Sequence, residues 1–228
     1  MWGSILLLVP IVLSLGHFAG QEIRIGSKRI LETIQSFAGG FSVAYVFLIL
    51  IPEIVGRGLG SGSLSMSLAL IGFTIFHVAL RYATRRDKSD SKRHLVREVH
   101  IGILALYSFL VSFSLVQLLQ QDIYYGLIML LIILIHTTLL EINYVHLDTV
   151  KPISFKSPFI ILATLLGGII PLFNIIAIEV ELAFFSLTAG AIMYIAVREE
   201  IPQESKGSPA WFISGVFLLI FLSTLIIG

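Results

Sequence analysis

The chain has 228 residues, of which 57% are hydrophobic and 13% charged, and its mean hydropathy is +0.97. Soluble domains average about 45–50% apolar and about 25% charged residues, so this composition excludes a soluble enzyme and also a disordered chain. The net charge of +1 gives no basis for nucleic-acid binding, and the absence of cysteine excludes disulfide frameworks and thiolate metal sites.

Long apolar runs separated by polar breaks predict a polytopic membrane protein, since a spanning helix needs about 20 mostly apolar residues. The first run has no basic residue in front of it, so we expect a retained span rather than a cleaved signal peptide. The expected fold is all-α, a single transmembrane domain over residues 1–228. Its eight spans are predicted near residues 2–19, 30–51, 64–82, 97–119, 123–145, 157–178, 182–201 and 209–228.

The basic residues predict how these spans are oriented. If the N-terminus lies outside, fourteen of the 15 Lys and Arg residues fall in inside loops and Arg57 alone falls outside. Cytoplasmic loops carry an excess of Lys and Arg, so both termini are expected outside, in the plasma membrane. The charged segment 83–96, between spans 3 and 4, is interpreted as a solvated cytoplasmic linker, with capture of a metal as the less favoured alternative.

Two stretches align without a gap when the chain is shifted by 150 residues. Phe37-Ala38-Gly39-Gly40 falls on Leu187-Thr188-Ala189-Gly190, and Ile51-Pro52-Glu53 falls on Ile201-Pro202-Gln203. The two spans concerned run in opposite directions, which suggests an inverted repeat of spans 1–3 and 6–8 around spans 4 and 5. Secondary transporters use such repeats, with the substrate site near the midplane at the repeat interface. The small residues are expected to face other helices rather than lipid.

Ionisable residues at membrane depth are functional candidates because a charge in hydrocarbon is costly. Span 5 places His136 near its centre and Glu141 just over one turn further toward the cytoplasm, with Asn143 on the same face as His136. These residues favour a pathway for cations or protons, while a histidine that only bonds a neighbouring helix is the alternative. Span 4 adds a polar series at the level of His136 and above it: Tyr107, Ser108, Ser112, Ser114 and Gln117.

Further carboxylates and imidazoles lie at the span ends and suit zinc, iron or manganese. On the expected cytoplasmic side they are candidates for metal exit, although solvated side chains are the simpler interpretation. Glu53, which follows Pro52 at the end of span 2, is a candidate carboxylate of an outer vestibule. The cytoplasmic candidates are His100, His146, Asp148, Glu199 and Glu200.

On these features the sequence resembles the ZIP family of divalent-metal transporters. Span 2, from Phe37 to Glu53, is similar to that family's second helix, which is rich in small residues and then reads His-Leu-Leu-Pro-Glu. Span 7, from Ser186 to Pro202, is similar to its seventh helix, with Ala189-Gly190 and Tyr194 in the family's places. The resemblance implies eight spans in a 3+2+3 inverted-repeat bundle with both termini outside.

The chain departs from the family at the metal ligands. Where the fourth helix of the family usually carries His-Asn-x-x-Asp-Gly, this chain has Tyr107 to Ser112. The fifth-helix motif His-Glu-x-x-His-Glu keeps its first and last residues as His136 and Glu141, and the histidine of span 2 is replaced by Ile49. Zinc generally takes three or four protein ligands, so Ser108, Ser112, Asn143 or water would complete a single site of lower affinity.

The resemblance therefore implies transport of zinc or a similar divalent metal toward the cytoplasm through a midplane site. Two alternatives are open: a degenerate relative with a regulatory or assembly role, and a proton-linked transporter of another substrate. No enzyme is expected, because the spans carry no HExxH or GxSxG motif. No resident cofactor is expected either, since the metal would be cargo. The expected partners are a divalent metal ion and the lipid bilayer, and a homodimer is left open.

Overall fold

The structure is a computed structural model that describes residues 6–23, 27–56, 62–83, 90–146, 158–200 and 207–227. The described part is helical, with short connections and no strand. We number its helices in chain order: α1 Leu8–Glu22, α2 Lys28–Gly56, α3 Gly62–Ala83, α4 Asp90–Gln121, α5 Ile123–His146, α6 Pro158–Ile169, α7 Ile178–Ile195 and α8 Pro209–Ile227.

Four helical stretches in the described part are long and apolar enough to cross a membrane. They are Lys28–Gly56, Gly62–Tyr82, Ile101–Gln121 and Ile178–Arg198, and shorter apolar helices cover Ile123–Ile135, Pro158–Phe173 and Pro209–Leu225. Large apolar side chains such as Leu70 and Phe217 are each 65% exposed on the outer surface. Hydrocarbon is the solvent that accepts such a surface, so the chain is an integral membrane protein.

Local capping fixes several helix ends. The Ile30 N–H donates to the Ser27 hydroxyl at the start of α2 (3.4 Å). The Asp122 carboxylate accepts from the N–H groups of Tyr124 (2.9 Å) and Tyr125 (3.1 Å), which satisfies the first turn of α5 and separates it from α4. After α6 the chain continues as the 3₁₀ turn Ile170–Phe173.

Two helices contain a π-helical turn at matching places. In α2 the turn is Val46–Leu50, and in α7 the helix passes into Ala196–Glu200, 150 residues later. Each turn is followed in the sequence by an isoleucine and then a proline. Proline lacks an N–H, and its ring clashes with the carbonyl four residues earlier, so we attribute the widened turn of α2 to Pro52. Pro202 follows the second turn and lies outside the described residues.

The helices pack in two groups of four. One group pairs α2 with α8 and α3 with α7, and α2 also touches the π-helical turn at the end of α7. The other group pairs α4 with α6 and α1 with α5, with further contacts of α4 with α5 and of α1 with α6. Contacts of α4 with α3 and α7, and of α2 with α5, join the groups. Among the four long apolar stretches, α4 has the largest share buried inside the protein, 72% against 28% for α3. Helix α4 therefore lies at the centre.

Small residues make the closest crossings, as the sequence predicts. A Cβ built on Gly40 of α2 would lie 2.8 Å from the carbonyl carbon of Phe212 in α8. In return, a Cβ on Gly215 of α8 would lie against the backbone carbonyl of Phe37. Any larger side chain at either glycine would push the two backbones apart.

The pair formed by α3 and α7 repeats this arrangement. A Cβ on Gly190 would lie 2.7 Å from the carbonyl carbon of Ala69, and one on Gly72 would lie 3.0 Å from that of Leu187. Gly39, Gly40, Ala189 and Gly190 are all buried between helices, which confirms the prediction for these small residues.

Candidate functional site

Helix α4 carries the densest series of buried polar side chains in the described part. Ser108, Ser112, Ser114 and Gln117 are all buried within the spanning stretch Ile101–Gln121. At 100° per residue, Ser108 and Ser112 share one face, whereas Ser114 lies well round the helix from Ser112. The central helix therefore presents hydroxyl groups in two directions.

Ser114 faces α7. Its hydroxyl lies 2.8 Å from that of Thr188, and the Thr188 hydroxyl is also within hydrogen-bond distance of the carbonyls of Leu110 (3.1 Å) and Phe184 (2.7 Å). Both side chains are fully buried. The contacts of Thr188 with Ser114 and with Leu110 join the two helix groups, whereas the one with Phe184 lies within α7. This polar contact is satisfied, so its role is to hold α4 against α7.

Ser108 faces a small cavity of about 10 Å³ formed by four helices. Its walls include Leu13 of α1, Thr137 of α5 and Thr164 of α6. The neighbouring Ser112 approaches α6, since a Cβ built on Gly168 would lie 2.9 Å from its hydroxyl oxygen. The volume is close to the smallest that can hold one water molecule.

The hydroxyl groups that line this cavity, and that of Ser112 on the next turn of α4, differ in whether they have a hydrogen-bond partner. Thr137 donates to the Leu134 carbonyl (3.2 Å) and Thr164 to the Ile160 carbonyl (2.8 Å), each within its own helix. The hydroxyls of Ser108 and Ser112 are buried, and neither has a hydrogen-bond partner among the described residues. Buried polar groups are nearly always bonded, so two orphaned hydroxyls on one face indicate a place for a polar ligand.

Two further buried polar groups also lack a hydrogen-bond partner. The Tyr45 hydroxyl, just before the π-helical turn of α2, and the Gln117 amide nitrogen have no hydrogen-bond partner among the described residues. Tyr45 is fully buried. Neither lines the small cavity at Ser108.

The strongest ligands predicted from the sequence lie on α5. His136 immediately precedes Thr137, whose side chain lines the cavity, and Glu141 and Asn143 follow in the same helix. The structure describes the backbone of these three residues, but their side chains lie outside what it describes. Whether His136 and Glu141 approach Ser108 and Ser112 therefore stays a prediction.

The predicted sites at the helix ends are separate from this cavity. Glu53 follows the π-helical turn of α2, is half-buried, has one buried carboxylate oxygen and does not line the small cavity. For His100, His146, Glu199 and Glu200 the backbone is helical and the side chains lie outside the described part. Asp148 lies outside the described residues altogether. Among the side chains that are described, no group of three or more His, Cys, Asp or Glu could hold a metal ion.

Sequence reasoning overlooked the threonines of this region. Thr137 and Thr164 line the cavity, and Thr188 links α4 to α7. Thr137 lies inside the stretch from His136 to Glu141, and Thr188 inside the repeated small-residue stretch, where each was treated as a spacer. The available signal was a polar residue within an apolar span, which is informative only when its neighbours on other helices are known.

Comparison of the chain with protein-family models and with curated protein sequences finds no match.

Proposed function

We propose that the protein is a ZIP-like transporter that moves a divalent metal ion such as zinc toward the cytoplasm. The observation that carries this proposal is a pair of buried hydroxyls without a partner on one face of α4. Ser108 lines the cavity where α1, α4, α5 and α6 meet, and Ser112, one turn further along, lies beside Gly168 of α6. They lie on the central helix, in the middle of a membrane-spanning stretch. Burying a hydroxyl without a hydrogen bond costs free energy, and a bound cation would offset this cost by coordinating the two oxygen atoms.

The chemistry of the proposed site joins two strong and several weak ligands. His136 would supply an imidazole nitrogen and Glu141 a carboxylate, while Ser108, Ser112, Asn143 or water would add neutral oxygens. This donor set suits zinc and other first-row divalent ions. With only two strong ligands, affinity would be lower than in a site with a fuller cluster, which favours release over retention.

The proposed architecture is a 3+2+3 inverted repeat of eight membrane spans, with both termini outside the plasma membrane. It is supported by the two π-helical turns and by the reciprocal glycine crossings of α2 with α8 and of α3 with α7. Under this repeat α1 corresponds to α6, α2 to α7, α3 to α8 and α4 to α5. The pairings of α4 with α6 and of α1 with α5 then become equivalent as well. In this class of protein the substrate site lies where the halves meet.

Binding of zinc to the purified chain tests this proposal before transport is measured. Isothermal titration should show one saturable site per chain, lost in His136→Ala and in Glu141→Ala. His77→Ala is the matched control, because that histidine lies on α3 with its ring against Tyr194 (5.5 Å between centroids). If no divalent ion binds the parent chain, the degenerate scaffold with a regulatory or assembly role becomes the better interpretation. Proton uptake without metal binding would favour the proton-linked transporter.

A further inference from the structure

A second cavity, entirely apolar, lies between α3, α4 and α7. It measures about 130 Å³ and is lined only by apolar residues, which include Phe76, Leu110 and Leu187. It shares no lining residue with the small cavity at Ser108. Cavities of this kind stay dry and bind apolar molecules: an engineered cavity of about 150 Å³ takes up benzene or xenon.

The cavity lies at the centre of all three spanning stretches that form it. Its α4 residues, Leu106 to Leu110, lie within about five residues of the middle of Ile101–Gln121, and its α7 residues, Phe184 and Leu187, lie within about four of the middle of Ile178–Arg198. Gly72 is itself the middle of the α3 stretch. This depth is where the acyl chains of the two leaflets end.

The mouth and the inner wall of the cavity have different character. At the mouth, Ile75 of α3 and Leu106 of α4 are 43% and 41% exposed on the outer surface. Further in, the cavity reaches Phe76 of α3 and Leu110 of α4, which are only 2% and 4% exposed. The opening thus leads sideways from the lipid-facing surface to a buried apolar wall.

We propose that this cavity binds the terminal part of the acyl chain of a membrane lipid. At mid-depth the molecules that meet the mouth at Ile75 and Leu106 are chain ends, and methyl and methylene groups fit a lining that offers no polar partner. A bound chain end would recover dispersion contacts that an empty cavity forfeits. It would also lie between α4 and the pair formed by α3 and α7, at the boundary of the two helix groups.

Photo-crosslinking in phosphatidylcholine vesicles tests this site. The lipid carries a diazirine on the last carbon of one chain, and modified residues are mapped by mass spectrometry. We expect Phe76 and Leu110, which are buried but line the cavity, to be labelled at a level comparable with Phe217, which is 65% exposed on α8. Phe113 is fully buried, does not line the cavity and gives the background. The same lipid with its diazirine next to the ester should leave Phe76 and Leu110 at background.

Closing the mouth separates a bound chain from random contact. Ile75→Trp and, independently, Leu106→Trp should lower labelling of Phe76 and Leu110 at least about fivefold while Phe217 is unchanged. Leu70→Trp is the matched control, since Leu70 lies about 140° round α3 from Ile75 and does not line the cavity. Labelling of Phe76 and Leu110 at the Phe113 background, or labelling that neither mouth variant lowers, would overturn the proposal.

Discussion

Gly40 and Gly190, 150 residues apart in the sequence, occupy equivalent positions at two helix crossings. Gly40 lies against the backbone carbonyl of Phe212, and Gly190 lies against that of Ala69. The partner positions are related by a constant shift of their own, since Ala69 and Gly72 correspond to Phe212 and Gly215, each 143 residues later. Two helix pairs, each joining a helix of the first half of the chain to one of the second half, therefore cross through the same kind of glycine contact.

Gly40→Ala and Gly190→Ala should both destabilise the protein. The added methyl would meet backbone atoms that cannot rotate away, and such overpacking costs about 1–3 kcal/mol. Thermal unfolding in detergent should show a lower midpoint for both variants. The matched control is Gly102→Ala, whose added Cβ has no neighbour within 4 Å, and its midpoint should not fall. Equal behaviour of all three variants would contradict the close crossings.

Cysteine pairs test the internal repeat, since the native chain has no cysteine to interfere. The Ser208 N–H donates to the Ser36 hydroxyl (2.9 Å), so Ser36→Cys with Ser208→Cys should form a disulfide under mild oxidation. The proposed repeat would place Ser186 and Ser65 in equivalent positions, and both are buried. The pair Ser186→Cys with Ser65→Cys should therefore crosslink too, and each single variant is a control. Crosslinking of the first pair alone would count against the repeat.

Thr188→Val should weaken the attachment of α4 to α7. The substitution keeps the shape but removes a hydroxyl that contacts Ser114 and the Leu110 carbonyl, so Ser114 loses a buried partner. Hydrogen bonds between membrane helices contribute about 0.6 kcal/mol on average, and up to about 1.7. The free energy of unfolding should fall by about this amount, measured against Thr74→Val. Thr74 is exposed and donates only within its own helix among the bonds described, to Leu70 (2.8 Å). Thr188→Ser should retain most of the stability.

Ser108→Ala and Ser112→Ala should change stability and zinc affinity in opposite directions. Removing a buried hydroxyl that has no partner is neutral or stabilising, so the unfolding midpoint should stay or rise. If these oxygens coordinate the ion, the dissociation constant for zinc should increase, by up to about tenfold for each variant. Ser114→Ala is the control, because its hydroxyl is bonded and its loss should lower stability without changing affinity. A lower midpoint for the first two variants would show that their hydroxyls are structural.

The positions of the helices follow largely from local composition. The predicted span 64–82 corresponds to α3 Gly62–Ala83, and the span 182–201 to α7 with its π-helical turn. The prediction of a linker over residues 83–96 is wrong in part, because α4 already begins at Asp90. Hydropathy detects apolar spans and misses this polar first part of the helix, which no Gly or Pro interrupts. The span predicted at 157–178 ends earlier than expected. Its α-helix gives way to a 3₁₀ turn that contains Pro171, and Asn174 then adopts a left-handed backbone conformation with φ of 50°.

The candidate site depends on packing that no local pattern contains. The sequence identifies Ser108 and Ser112 as polar residues in a span. Whether a serine of α4 has a hydrogen-bond partner depends on the neighbouring helices: Ser114 has one in Thr188, whereas Ser108 and Ser112 have none among the described residues. The apolar cavity is harder still to foresee, because it is the space left where α3, α4 and α7 do not fill the gap between Phe76 and Phe184. Its lining residues look like any other part of an apolar span.

Zinc uptake by vesicles reconstituted with the parent chain or with the double variant His136→Ala, Glu141→Ala tests the central claim most directly. With a metal-sensitive dye inside the vesicles, the parent should give saturable uptake that weakens as pH falls from about 7.5 to about 5.5, because protons compete with the metal for imidazole and carboxylate. The double variant, inserted and folded to the same extent, should match empty vesicles. Uptake by the double variant at the parent's rate would contradict a transport site at His136 and Glu141.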